Sequence, residues 1–344
     1  MHGGGASGVK LARYVARRLA LLVPVLVGVS LITFVLIRVL PGDPVRTVMP
    51  PTATPADIAA ARVRYGLDRP IIVQYWIWLK GLLHGQFGSS FQTGVDIRSE
   101  FLQRVGPTFE LITLALALAL VIAIPVGIVS ALRAGRVSDH VIRIGAISAG
   151  AVSEFWLGLL LIFFFYNDLH IAPPPDGRIA PNIPIRNLTS MELFDSFLTG
   201  NWQAFSSAFA HAVLPVVTLA LVSSAPLVRG VRASALQVLG SDAYRCAESH
   251  GLRRSMLLLH YTLRGSTLGV PTLAALLYGN LLGGDVLVEY VYSWNGLGQW
   301  ALNGLLIDDY PVIQAFILVC AGVYVLVFLA ADVVQAMLDP RVKL

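Results

Sequence analysis

Apolar residues run almost unbroken through six windows of this chain, at 19–37, 111–132, 144–166, 212–228, 267–284 and 312–331, and polar residues are confined to the stretches between them. A helix crossing about 30 Å of hydrocarbon needs roughly 20 apolar residues, so each window predicts one membrane-crossing helix. With flanking residues the spans cover 19–38, 108–132, 144–166, 209–229, 265–288 and 312–333. Pro125, Pro215, Pro226 and Pro271 fall inside them. Prolines are tolerated in membrane helices where neighbours re-satisfy the freed carbonyls, which predicts kinked helices in a packed bundle. The fold class is an all-α membrane protein with six transmembrane helices.

The stretches between the spans set the orientation. Lys10, Arg13, Arg17 and Arg18 lie in the tail 1–18, Arg133, Arg136 and Arg143 in 133–143, Arg232, Arg245, Arg253, Arg254 and Arg264 in 230–264, and Arg341 and Lys343 in 334–344. Basic residues concentrate in cytoplasmic loops, which places these stretches and both termini in the cytoplasm. Segments 39–107, 167–208 and 289–311 then face the other side. The first span is followed by Arg38 and "LPGDP" (40–44) rather than a small-residue cleavage site, so it reads as a retained helix. In 39–107, "TPADIAAARVRYG" carries Thr54 as N-cap, Pro55 at the first helical position, Asp57 in the first turn and Gly66 as stop. The amphiphilic stretch 70–85, with Tyr75, Trp76 and Trp78, suits a helix lying in the membrane interface. The proline-rich stretch 172–184 cannot be helical throughout.

Composition agrees with a membrane protein. Charged residues are 13% of the 344, against about 25% in soluble domains. The net charge of +5 comes from bases beside apolar runs, not from a basic patch interleaved with aromatics, which argues against nucleic acid as a partner. Cys246 and Cys320 are too far apart to suggest a disulfide framework or a metal site. The seven histidines form no H-E-x-x-H pair and no G-x-S-x-G elbow is present, so no enzyme activity is expected of this chain. "GGGASGVK" (3–10) lacks the spacing and strand context of a phosphate-binding loop. The chain is therefore expected to carry no cofactor and to bind no ATP, and energy must come from a partner or a gradient. Ionisable residues within spans are costly unless paired or facing water. Glu154 and Asp285 are the candidates for a polar pathway, while Glu289 and Asp332 read as boundary or paired acids. No regular chain of acids crosses the membrane and no inverted repeat relates the halves, which disfavours a secondary transporter.

One polar island remains, "GSDAYRCAESHGLRR" (240–254). Ser241 or Asp242 can cap a helix of about two turns, and Gly251 can close it. The small residues Ala243, Cys246, Ala247 and Ser249 would let a partner backbone approach. This stretch resembles the EAA loop of the permease subunits of binding-protein-dependent ABC importers, in the form D-Y-x-R-T-A-x-x-x-G-L usual in the dipeptide, oligopeptide and nickel subfamily. Asp242, Arg245, Ala247, Gly251 and Leu252 match, and Glu248 stands among the variable positions. "LPGDP", "YGLDRPIIVQYWIWL", "GQFGSSF", "HAVLPVVTLAL", "VEYVYSWNGLGQWALNGLLIDDYPVI" and "LDPRVKL" follow in the order typical of that subfamily's "B" permease subunit.

The resemblance implies a type I ABC importer permease fold in a prokaryotic inner membrane, with 230–264 holding a coupling helix. It also implies a second homologous permease subunit, two cytoplasmic ATPase subunits that bind ATP and Mg, and an extracytoplasmic solute-binding protein. The ATPases would dock on Asp242, Arg245, Ala247, Glu248, Gly251 and Leu252, with Ala247 and Gly251 at the contact. The segments 67–91 and 293–309 would meet the binding protein. Peptides lead as the imported solute, with nickel chelates or another small solute as the alternative.

Overall fold

The computed structural model describes residues 20, 23–35, 52–64, 66 and 68–338. The expectations for the amino-terminal tail, "LPGDP" and residues 339–344 lie outside them. The described chain is helical, with one isolated β-bridge between Ser89 and Asp96. In order come α1 (Val23–Val35), α2 (Pro55–Arg64), α3 (Ile71–Leu83), α4 (Ile97–Leu132) and α5 (Val137–Ala151). Next, α6 (Glu154–Leu161) widens into π-turns over Ile162–Asp168, followed by α7 (Glu192–Leu198), α8 (Trp202–Leu239) and α9 (Asp242–Ser249). Then α10 joins Arg254–Met256, π-turns over Leu257–Leu263, and Arg264–Ser266. The described chain closes with α11 (Val270–Gly284), α12 (Val286–Val291), α13 (Leu297–Leu306) and α14 (Tyr310–Leu338).

Three of these helices, α4, α8 and α14, are long and apolar enough to cross a membrane. The pair formed by α5 and the α6 segment makes a fourth crossing if the two are taken as one span. The windows expected at 19–38 and 265–288 are represented by the shorter apolar helices α1 and α11. The window at 144–166 is not one continuous helix. Val152 and Ser153 both adopt extended backbone, and the two halves meet at 97°. Glu154, expected in mid-span, is therefore the first residue of α6. Tertiary packing accompanies the break: a Cβ at Gly150 would come within 3.0 Å of Ala225 on α8.

Pro125, Pro215 and Pro226 sit inside long helices, as expected, and Pro107 joins them in α4. Pro271 instead starts α11, where its missing N–H costs nothing. The capping reading of α2 holds. Thr54 N–H donates to Asp57 Oδ2 at 2.9 Å and Asp57 N–H donates to Thr54 Oγ1 at 3.3 Å. Gly66 follows at φ +65°. On α3, Ile72, Trp76 and Ile77 are exposed while Tyr75 is buried, an amphiphilic arrangement fit for an interface. Residues 172–184 form bends and turns.

The spine is the pair α4 and α8, the most extensively packed helices in the chain. Their seam is built of small residues: Ala119 and Ala123 meet Ala220, Leu227 and Val228. Between helices in lipid there is no hydrophobic driving force, so close van der Waals approach has to hold them. Gly127 shows how close that approach is. A Cβ there would lie 2.9 Å from the Val231 side chain and 3.0 Å from the Val228 carbonyl. At the same end, Arg232 of α8 donates from Nε and Nη2 to the buried Asp139 of α5, at 2.9 and 2.8 Å. Ser130 of α4 donates to the same carboxylate at 2.6 Å. One fork thus ties three helices together.

Replacing Gly127 by valine should force α4 and α8 apart. Overpacking of this kind costs typically 1–3 kcal/mol, so the purified chain is expected to unfold at lower temperature, while Gly145→Val, where a Cβ meets nothing within 4 Å, leaves the transition in place. Equal transitions for the two variants would contradict the seam.

Candidate functional site

The polar island forms α9. Ser241 caps it, its Oγ accepting from Tyr244 N–H at 3.3 Å. Asp242 occupies the first turn, where a carboxylate favours the helix dipole. Gly251 ends the unit at φ +73°, with its N–H bonded to the Glu248 carbonyl at 3.0 Å. This left-handed turn is what requires glycine; a Cβ at Gly251 would meet nothing within 4 Å. Close approach is thus not the reason for glycine within this chain.

The helix packs on the π-turns of α10. Tyr244 sets its ring against Tyr261, centroids 6.5 Å apart, and Leu252 is half-buried. Ala247, expected at a partner contact, is 6% exposed and turned into the chain's own fold. Helical periodicity puts Tyr244 and Ala247 on one face three residues apart, leaving Asp242, Arg245, Glu248 and His250 on the exposed remainder. The surface presented is mixed, with Ala243, Cys246 and Ser249 exposed beside the charged residues and Ala247 alone of the small residues buried.

The second group lies inside the bundle. Asp285 caps both α11 and α12 and is fully buried. Its backbone N–H donates to the Leu281 carbonyl at 3.0 Å and its carbonyl accepts from Glu289 N–H at 2.8 Å, but neither carboxylate oxygen has a hydrogen-bond partner. The charges that act on it are those of Glu289 and Glu154, so the fold gathers Glu154 and Asp285, 131 residues apart, around α12. Glu154 is half-buried, and Asp285 is walled off in the state described.

Glu289 is structural, as expected for a paired acid. Oε1 accepts from Thr108 Oγ1 at 2.5 Å and Oε2 accepts from Gln299 N–H at 2.9 Å. Thr108 Oγ1 in turn accepts from Leu297 N–H at 2.7 Å. A Cβ at Gly296 would strike both the Glu289 carboxylate and the Thr108 hydroxyl, and one at Gly298 would lie 2.8 Å from Val286 Cα. Trp294 adds a bond from Nε1 to the Pro107 carbonyl at 2.9 Å. Sequence reasoning missed Thr108, Trp294, Gly296 and Gly298. The only signal was the string "SWNGLG" (293–298), and its partner Thr108 lies far away in sequence. Tyr292 completes the knot, donating to the Gly158 carbonyl at 3.2 Å and pairing with Thr218 Oγ1 at 3.1 Å.

The segments on the predicted outer side are also joined. Ser90 Oγ donates to Asp309 Oδ2, Phe91 N–H to Asp309 Oδ1 at 3.2 Å, and Gln92 Nε2 to the Ile307 carbonyl at 3.0 Å. The two stretches singled out at 67–91 and 293–309 therefore share one surface. Beside them, the loop before α7 closes on α4. Arg178 pairs with Glu192 at 2.9 Å and donates to the Ser190 carbonyl at 2.9 Å. Glu110 accepts from Phe194 N–H at 3.0 Å. Burial lowers the Arg178 pKa and raises that of Glu192. At Asp195 burial acts upward, but the Thr189 hydroxyl and the backbone N–H groups of Thr189 and Leu188 outweigh it and hold the carboxyl below its ordinary value.

Comparison with known proteins places this architecture. Residues 123–344 match the model of the binding-protein-dependent transport system inner membrane component, and residues 11–111 match that family's N-terminal model. The chain belongs to this family of membrane-embedded transport permease subunits. It is 37% identical over 322 residues to a probable D,D-dipeptide transport system permease protein of Escherichia coli, covering 93% of this chain and 94% of the relative. It is 34% identical over 330 residues to the dipeptide transport system permease protein of Alkalihalophilus pseudofirmus, covering 96% and 99%. A di/tripeptide transport system permease protein of Pseudomonas aeruginosa is 34% identical over 331 residues, covering 96% and 98%.

The Asp195 contacts carry a pH signature. A carboxyl with a lowered pKa stabilises its loop above the ordinary carboxylate range, and that contribution is lost as pH falls through the range toward the lowered value. The protection factors of the Leu188 and Thr189 amides, corrected for the intrinsic exchange rate at each pH, should therefore fall on acidification, and Asp195→Ala should lower them already at neutral pH. Slow exchange in the variant would refute the role given to Asp195.

Proposed function

We propose that this chain is one of two permease subunits of an ATP-driven importer, forming half of the path by which peptides enter the cell. Both termini and α9 lie in the cytoplasm, and six spans cross the inner membrane, with α1 and α11 as parts of two of them. An extracytoplasmic binding protein delivers the peptide to the surface where the Ser90 and Asp309 segments join. The chain itself is non-catalytic. ATP and Mg are held by two partner ATPase subunits. The family and the names of its relatives support the peptide reading, since three relatives at 34–37% identity are named for dipeptide or di/tripeptide transport.

The observation that carries the coupling role is α9. A two-turn helix is capped at one end by Ser241 and closed at the other by a left-handed glycine. It is seated on α10 through Tyr244 and Ala247 and turns Asp242, Arg245 and Glu248 outward. A solvated linker needs none of this. A partner's movement at the exposed face passes through α10 into α8, on which α10 packs. Such a movement shifts a helix bundle between two access states. The acids Glu154 and Asp285 sit where α12 joins the bundle, and Glu154 supplies the accessible carboxylate.

The test is ATP hydrolysis stimulated by the binding protein in the reconstituted complex. Arg245→Glu is expected to abolish stimulation while the purified chain keeps its unfolding temperature. Gly251→Val, strained at positive φ, should act likewise, whereas Gly251→Asn, which tolerates that region, retains most of the coupling. Full stimulation in Arg245→Glu would sink the assignment of the charged face. On the other side, Asp309→Ala should release the Ser90 segment and weaken stimulation at low binding-protein concentration; an unchanged concentration dependence would remove that surface from the docking site.

A further inference from the structure

We infer that the buried carboxyl of Asp285, with Glu154 beside it, receives the protonated amino group of the solute on its way through the bundle. This rests on the reading of the chain as a peptide permease and adds the group by which the peptide is held. Asp285 is 0% exposed, and among the described residues neither of its carboxylate oxygens has a hydrogen-bond partner. The other buried acids of the described chain, Glu110, Asp139, Asp195, Glu289 and Asp309, all accept hydrogen bonds. Burying a carboxylate is costly unless it is paired, so Asp285 stands apart from every acid around it. The charges that act on it are those of Glu289 on α12 and Glu154 on α6, and its own charge acts on Tyr278 of α11 and Cys320 of α14. None of these four is a base. An ionisable group set inside a bundle in this way marks a path or a binding site.

The surrounding backbone fits that role. Glu154 follows the 97° break between α5 and α6, and Asp285 forms the junction of α11 and α12. The two interruptions are brought together because α12 packs on α6, where Tyr292 donates to the Gly158 carbonyl at 3.2 Å. Interrupted helices meeting inside a bundle frame the ion and substrate sites of membrane transporters. Gly283 and Gly284 are exposed, and a Cβ at either would meet nothing within 4 Å. Open space therefore begins one residue from the buried carboxyl, and the half-buried Glu154 is the more accessible of the two acids. The donor set selects an ammonium over a metal ion. Hard metal ions take about six or more oxygen ligands, and among the described residues no group of three His, Cys, Asp or Glu could hold a metal. A primary ammonium has three donors, which the two oxygens of Asp285 and one of Glu154 can accept. A dipeptide carries one such group at its amino end, and its carboxylate end is repelled by the same acids.

The test uses the reconstituted complex with dialanine, and N-acetyl-dialanine as the control that lacks the ammonium. A lipophilic carbodiimide modifies buried carboxyl groups, and mass spectrometry reads the extent of modification at Asp285. Dialanine is expected to slow modification there, whereas N-acetyl-dialanine and sodium chloride at the same concentration are not. In proteoliposomes, Asp285→Asn should lower dialanine uptake at least about tenfold, the worth of one charge-assisted hydrogen bond. The half-saturating concentration of binding protein should stay unchanged, and Asp285→Glu should recover most of the uptake. If Asp285→Asn fails to assemble, protection of the native chain decides the matter alone. No protection by dialanine, equal protection by the acetylated peptide or by sodium, or full uptake in Asp285→Asn would each overturn the proposal while leaving the peptide permease reading in place. A complex that takes up no dialanine, and whose ATP hydrolysis dialanine-loaded binding protein does not stimulate, would refute that reading and the proposal with it.

Discussion

The close approach of α4 and α8 is the constraint on which the rest of this chain depends. Hydrocarbon offers no reward for burying one apolar helix against another, so the pair has to gain its stability from contact itself. Gly127 against Val231, and Ala119 and Ala123 against Ala220, bring the backbones together along the seam. Two polar knots then tie other elements to the helices of that seam. Asp139, Ser130 and Arg232 bind three helices at one end, and Glu289, Thr108 and Trp294 bind α12 and the turn before α13 to α4 near the other. Within these two knots the polar groups are paired with other parts of the protein.

The same rule explains why so many elements are short or broken. The α5–α6 bend, the π-turns in α6 and α10, and the Asp285 junction between α11 and α12 all interrupt helical hydrogen bonding inside or beside the bundle. Non-helical backbone at that depth is tolerated only where protein surrounds it. Glu154 and Asp285 occur at two of these interruptions, which is where carboxylates can be accommodated among helix ends. The charged residues of α9 lie beyond the seam, attached to it through α10.

Much of this was legible in the residues alone. Hydropathy located α4, α8 and α14, the capping residues Thr54 and Asp57 announced α2, and Ser241 and Gly251 bracketed α9 correctly. These features are local: a run of apolar residues, a cap or a left-handed glycine carries its reason within a few positions. Ala247 shows where local reasoning stopped. Its small size was compatible with a partner contact or with the chain's own core, and only the seating of α9 on α10 chose the core.

By itself, then, the sequence determined a membrane-embedded helical permease, the positions of its long helices and the boundaries of its polar helix, because hydrophobicity and helix punctuation act over short stretches. The tertiary structure decided the 97° break that makes Glu154 a helix start, the partnership of Thr108 with Glu289 across 181 residues and the inward turn of Ala247. Each of these depends on which distant surfaces meet, and residue spacing along one strand of sequence holds no record of that meeting.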